Sequence, residues 1–203
     1  MARRTKEQAQ QTREEILKGA LNVFSEKGYS RATLNNIAKR ISMTRGAIYW
    51  HFKDKQDLLI ALMEAMHQRE EELLEHKPSN ESCLDNLRDQ FMARADLLEN
   101  HEDFRKFAVL MSLQVEWATE KHLADRVRGE TMRTRPFRFV PQHLALAEEK
   151  GEIRPEVDLN IVEDILVGLF TGLVRHCIGG ISKTQLDVCL KPALQAVLDS
   201  IRA

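Results

Sequence analysis

The chain is poor in the residues that interrupt or cross-link a fold. It has five prolines and nine glycines in 203 residues, so long stretches run without a break and helix formers dominate. Cysteine is scarce. Cys83, Cys177 and Cys189 are odd in number and show no pairing pattern, which argues against a disulfide framework and for a reducing, cytoplasmic setting. No apolar run reaches the ~18 residues that a membrane helix needs. The nearest, Ile161 to Ile178, is interrupted by Glu163, Asp164, Arg175 and His176. The basic, polar amino terminus has no apolar core, so no signal peptide is read there. The histidines (His51, His67, His76, His101, His122, His143, His176) form no cluster with cysteine or carboxylates at ligand spacing, so no metal is expected. A nucleophile elbow, a phosphate-binding glycine loop and a dinucleotide fingerprint are all missing, so neither a cofactor nor catalysis is expected.

Charge is present and unevenly placed. The net charge of -1 combines 12 Lys+Arg against 5 Asp+Glu in residues 1–55 with 18 against 26 in the remainder. A basic end on an acidic body suits a protein that offers one end to a polyanion.

The periodicity reads as all-α. A first helix is expected from about Glu7 to Lys27, with Ile16, Ala20, Val23 and Phe24 inward and Gly28 as its stop. Leu34, Ile37 and Ala38 make one face of a short helix capped by Thr33. Ile41 to Met43 form a turn, and Thr44 caps a second short helix, Arg45 to His51. Ala47, Ile48 and Phe52 can face inward, while Arg45, Gly46, Tyr49, Trp50 and His51 mostly face out. Small residues and exposed aromatics on one short helix suit a major groove. Asp54 is expected to cap a long helix from Lys55 to Glu75, and residues 77–80 interrupt the pattern. Helices follow at about 81–100 and 103–118. The pattern is irregular through Arg126 to Val140, where Pro136 and Pro141 force breaks or kinks; a helix resumes over 141–150, and Gly151 ends it. Two apolar helices close the chain, about 159–178 and 183–201, with Asp158 and Ser182 as caps. A division is expected at 56/57, with a helix-turn-helix DNA-binding domain over 1–56 and a larger helical ligand-binding and dimerisation domain over 57–203.

Residues 12–59, TREEILKGALNVFSEKGYSRATLNNIAKRISMTRGAIYWHFKDKQDLL, resemble the DNA-binding domain of the TetR family of bacterial transcriptional regulators. TRGAIYWHFKDK and the opening MARRTKEQAQQTR are similar to the AcrR-like branch, which represses multidrug efflux pumps. The resemblance implies a homodimeric repressor of palindromic operator DNA, released by a small ligand. A structural or global DNA binder without a ligand is the alternative.

Chemistry assigns the DNA contacts. Arg45 could reach a guanine edge or a phosphate. Thr44, Tyr49, Trp50 and His51 are suited to phosphate and sugar, Gly46 and Ala47 leave room for close approach, and Arg3, Arg4 and Lys6 could lie in a neighbouring groove. Lys55 and Thr33 sit at helix starts, where backbone amides favour a phosphate. In the body, Phe104, Phe107, Met111, Trp117, Phe137 and Phe170 are candidate walls for a hydrophobic or amphipathic ligand, with Glu116 and Arg175 as polar anchors. A plain packed core would use the same aromatics. A cationic ligand could pair with Glu116 and an anionic one with Arg175. Ile161, Ile165, Gly168 and Gly172 lie on a helix that is apolar nearly all round, and such a helix must be covered on more than one side. A single-chain core would satisfy this; the resemblance favours a four-helix contact between two subunits.

Overall fold

The structure is a computed structural model that describes residues 6–74, 82–115 and 137–203. Arg3, Arg4, Glu116 and Trp117, together with the interruption at 77–80 and Pro136, lie outside the described residues.

Helix α1 (Lys6–Lys27) buries Ile16, Leu17, Ala20, Leu21, Val23 and Phe24. It stops at Gly28, whose φ of +76° is open to glycine at no steric cost. Thr33 caps α2 (Leu34–Arg40), and Asn36 reaches back to the Thr33 amide, so both orphan donors are satisfied. The turn into α3 (Arg45–His51) passes through Ser42 at φ +54°. Thr44 caps α3, and Asp54 caps α4 (Lys55–Leu73) by accepting from the Asp57 amide at 2.7 Å. Gly19 is where α1 crosses the turn: a Cβ there would collide with Cγ2 of Ile41.

The body comprises α5 (Cys83–Asn100), α6 (Glu102–Val109), α7 (Phe139–Glu149), α8 (Leu159–Leu173) and α9 (Leu186–Ile201). Both α6 and α8 run on into a π-helical turn, over Leu110–Gln114 and Val174–Ile178. The helix expected to reach residue 118 therefore changes its winding at Leu110, and its capping residue is Val115. Gly179 lets the two π turns meet, since a Cβ there would run into the Arg175 carbonyl and stand 2.9 Å from Leu113. Pro141 does not break α7. It sits in the first turn, where a missing N–H costs nothing.

One core joins α1–α4 to Leu97, Phe104, Leu110 and Val115, and a second joins α5 with α7, α8 and α9. Helix α4 buries Leu58 to Met63 and Met66 in the first core, so packing runs across the expected 56/57 division. Two body helices begin on carboxylates far away in sequence. Glu152 accepts from the Ser82 hydroxyl and the Cys83 and Leu84 amides at 2.7, 2.8 and 3.1 Å at the start of α5. Glu99 accepts from the Leu186 amide at 2.7 Å at the start of α9. The expected cap at Ser182 is thus corrected. That hydroxyl accepts from the Thr184 amide instead, and α9 starts after Gln185.

Candidate DNA-reading face and ligand cavity

The short helix α3 is held from beneath by Ile48 and Phe52, both buried in the first core. Its outer side carries Tyr49, 45% exposed, and Trp50, 71% exposed. Burying either ring elsewhere would gain free energy, so their exposure on an ordered helix marks them out. Arg45 donates to the Tyr49 hydroxyl at 2.8 Å and its guanidinium lies 5.1 Å from the centre of that ring. The i,i+4 spacing thus sets the arginine upright on the exposed face. Arg45 and Gly46 are exposed, and a Cβ at Gly46 would meet only Thr44 Oγ1 at 3.8 Å. His51 is half-buried, edge-on to Trp50 at 4.5 Å, and Ala47 is half-buried. Thr33 and Thr44 are exposed with their hydroxyls engaged in capping.

Lys55 differs from its sequence reading. Its ammonium donates to the Tyr29 and Ser30 carbonyls at 2.9 and 3.3 Å and lies 4.3 Å from the Tyr29 ring centre. The side chain pins α4 to the turn after α1. What remains for an anion at that place is the start of α4 itself.

In the body a cavity of about 530 Å³ opens between α4, α5, α6, α8 and the two π turns. Phe104, Phe107, Met111, Phe137, Phe170 and Arg175 all line it. Gly168 and Gly172 line it as well, although they were read as subunit-contact residues. Sequence reasoning missed the charged pair on its wall. Arg94 Nε stands 2.9 Å from Glu70, and its Nη1 donates to the Gln90 backbone and side-chain oxygens at 3.1 and 2.7 Å. The guanidinium also lies 3.8 Å from the Phe139 ring centre. Burial pushes the Glu70 carboxyl up despite the opposing pull of Arg94, and burial likewise pushes Arg94 down. Both shifts say that the charged pair is costly to bury and holds together through its own geometry. Glu70 and Arg94 are 24 positions apart on separate helices, so no local spacing signalled them.

The outer face of α8 is apolar and uncovered in the single chain. Ile161 and Ile165 are 57% and 48% exposed, and Val188 on the neighbouring α9 is 56% exposed. A Cβ at Gly168 or Gly172 would meet nothing within 4 Å, so the chain's own packing does not require glycine at either place. Among the described residues there is no group of metal-ligating side chains, and no helix is long and apolar enough to cross a membrane.

Known proteins share both halves of this arrangement. The sequence pattern described as "Bacterial regulatory proteins, tetR family" matches residues 16–62, from α1 into α4. The regulator SrpR of Pseudomonas putida is 32% identical over 96% of this chain and 87% of its own length. The probable acrEF/envCD operon repressor of Escherichia coli K12 is 30% identical, over 87% of this chain and 80% of its own. Among solved structures, that of SmeT bound to triclosan superposes with a TM-score of 0.79 at 26% identity, over 95% of this chain and 92% of that one. SmeT is described as the repressor of the Stenotrophomonas maltophilia multidrug efflux pump SmeDEF. With relatives this similar over most of its length, an exposed helix-turn-helix and an all-α body, the chain belongs to the TetR family of bacterial regulatory proteins and is a DNA-binding transcriptional repressor rather than an enzyme.

Proposed function

We propose that the protein is a homodimer that represses an efflux operon and leaves its operator when a small hydrophobic or amphipathic molecule enters the body. The observation that carries this reading is the course of α4. The helix starts at Lys55, joined to the end of the recognition helix through Phe52, Lys53 and Asp54, and further along its Met63, His67 and Glu70 line the cavity. A molecule that repositions this wall also repositions the helix to which α3 is directly joined. A second link runs through α6. Phe104 and Phe107 line the cavity, while Lys106 donates to the Asn22 side chain at 3.0 Å and Gln114 to the Ser25 carbonyl at 3.1 Å, both on α1.

In this account each subunit sets α3 in a major groove. Arg45 reads a base edge, and Thr33, Thr44, Tyr49, Trp50, His51 and the start of α4 hold phosphates, with Gly46 and Ala47 admitting the groove wall. The exposed faces of α8 and α9 pair with their copies, burying Ile161, Ile165 and Val188. Two recognition helices then meet half-sites of a palindrome about one helical turn apart. The efflux assignment draws on the operon and pump named for the relatives. The test is to select bound sequences from random duplex DNA, then repeat the binding with triclosan present. A palindrome that is bound without the drug and lost with it supports the reading. Sequence-indifferent binding that depends on salt alone favours a structural DNA binder.

A further inference from the structure

The charge of the effector can be argued from the cavity wall. Among the described residues the wall carries three groups of full charge: Glu70, Arg94 and Arg175. Two of them are spent on each other. Arg94 Nε meets Glu70 at 2.9 Å, and the rest of its guanidinium is engaged by Gln90 and stacked on Phe139. Arg175 makes no ion pair or side-chain hydrogen bond among the described residues, and it is exposed. It stands in the π turn that follows α8, just beyond Thr171 and Gly172 on the same wall. The described wall therefore holds one surplus positive charge at its wet rim and an apolar interior formed by four phenylalanines and Met111.

Resting on the reading of this cavity as the effector site, we propose that the effector is an amphiphile with a single acidic head group, seated with that head on Arg175 and its apolar part against Phe104, Phe107, Phe137 and Phe170. An anion placed there gains a charge-assisted contact while keeping part of its hydration. A cation has no comparable seat among the described residues. Among the described residues the carboxylate it would need is Glu70, and taking Glu70 from Arg94 would strand a buried guanidinium. A neutral amphiphile gains the apolar contacts alone. The expected order of affinity is anion, then neutral, then cation. The Thr171 hydroxyl does not alter it, because it donates back to the Val167 carbonyl at 2.8 Å.

Three probes of equal chain length decide the matter: decanoate, decanol and decyltrimethylammonium, titrated calorimetrically into the full-length protein below their micellar concentrations. Decanoate should bind about tenfold more tightly than decyltrimethylammonium, equivalent to about 1.4 kcal/mol. Arg175→Gln should bring decanoate to within about twofold of decanol, and Arg175→Lys should keep most of the preference. Equal or tighter binding of the cation overturns the proposal, and the wild-type ranking alone decides this if Arg175→Gln fails to fold. Survival of the full decanoate preference in a folded Arg175→Gln protein overturns it as well. Equal binding of all three probes, with operator still released by decanol, removes the charge assignment and leaves the inducible repressor standing. Binding of none removes both.

Discussion

A methyl group at position 46 would meet only Thr44 Oγ1, so folding places no demand for glycine there. Glycine in a helix costs up to about 1 kcal/mol relative to alanine. Gly46→Ala should therefore leave the protein as stable or slightly more so, yet weaken operator binding, because the added bulk lies on the groove side. Thermal unfolding and a DNA titration read the two effects separately, and unchanged affinity would place the groove elsewhere. Tyr49→Ala makes the complementary case. It removes an exposed ring and the 2.8 Å hydrogen-bond partner of Arg45 without touching the core. Operator affinity should fall by about 1–3 kcal/mol with the melting temperature unchanged. These residues were legible in the sequence because capping and outward placement are local: Thr44 and the following helical turn fix where Arg45 and Tyr49 point. Lys55 was not fully legible, since the carbonyls that take its ammonium lie 25 and 26 positions earlier in the chain.

At the scale of the element, Gly19 governs how closely α1 approaches the helix-turn-helix. Gly19→Ala forces Ile41 aside in a packed core, and overpacking of this kind costs about 1–3 kcal/mol. Denaturant unfolding should show that loss, whereas an unchanged midpoint would mean that the turn yields freely. Glu152 governs the start of α5. Partial burial would raise its carboxyl, but the Cys83 amide, the Ser82 hydroxyl and the Leu84 amide outweigh this and hold it below the ordinary value. A depressed folded value contributes stability that is fully present above the unfolded pKa of about 4.3 and fades as pH falls through the folded one. Glu152→Gln should therefore be less stable than the parent at pH 7, with the gap closing below about pH 4. A gap that is constant with pH would assign the effect to packing. Element order and most helix spans followed from periodicity and caps, since both are written within one turn of sequence. The long-range caps from Glu152 and Glu99 were not, and Ser182 was misread for that reason. Nor could the period reveal the two π turns, which form where the cavity-lining segments meet around Gly179.

For the whole molecule, the aromatic residues that gather at the cavity were visible in composition. Their enclosure by α4 was not, because it depends on the Glu70–Arg94 pair between helices distant in sequence. The uncovered apolar face of α8 and α9 is the other feature that exceeds one chain. Ile165→Glu lies outside the cavity lining, so it separates assembly from ligand binding. A buried unpaired carboxylate costs several kcal/mol, and sedimentation should find folded monomers. Intact dimers would place the subunit contact on another face. The central claim is that the cavity and the DNA-reading helix share one equilibrium, and linkage gives it a direct measurement. A ligand shifts that equilibrium only if it binds the DNA-incompetent state more tightly. The affinity of one cavity ligand is measured for the free and the operator-bound protein, and operator affinity is measured with and without that ligand. The account predicts that each weakens the other by the same factor, roughly 5- to 150-fold. Ligand affinity that is indifferent to operator, with the cavity shown to be occupied, would contradict it.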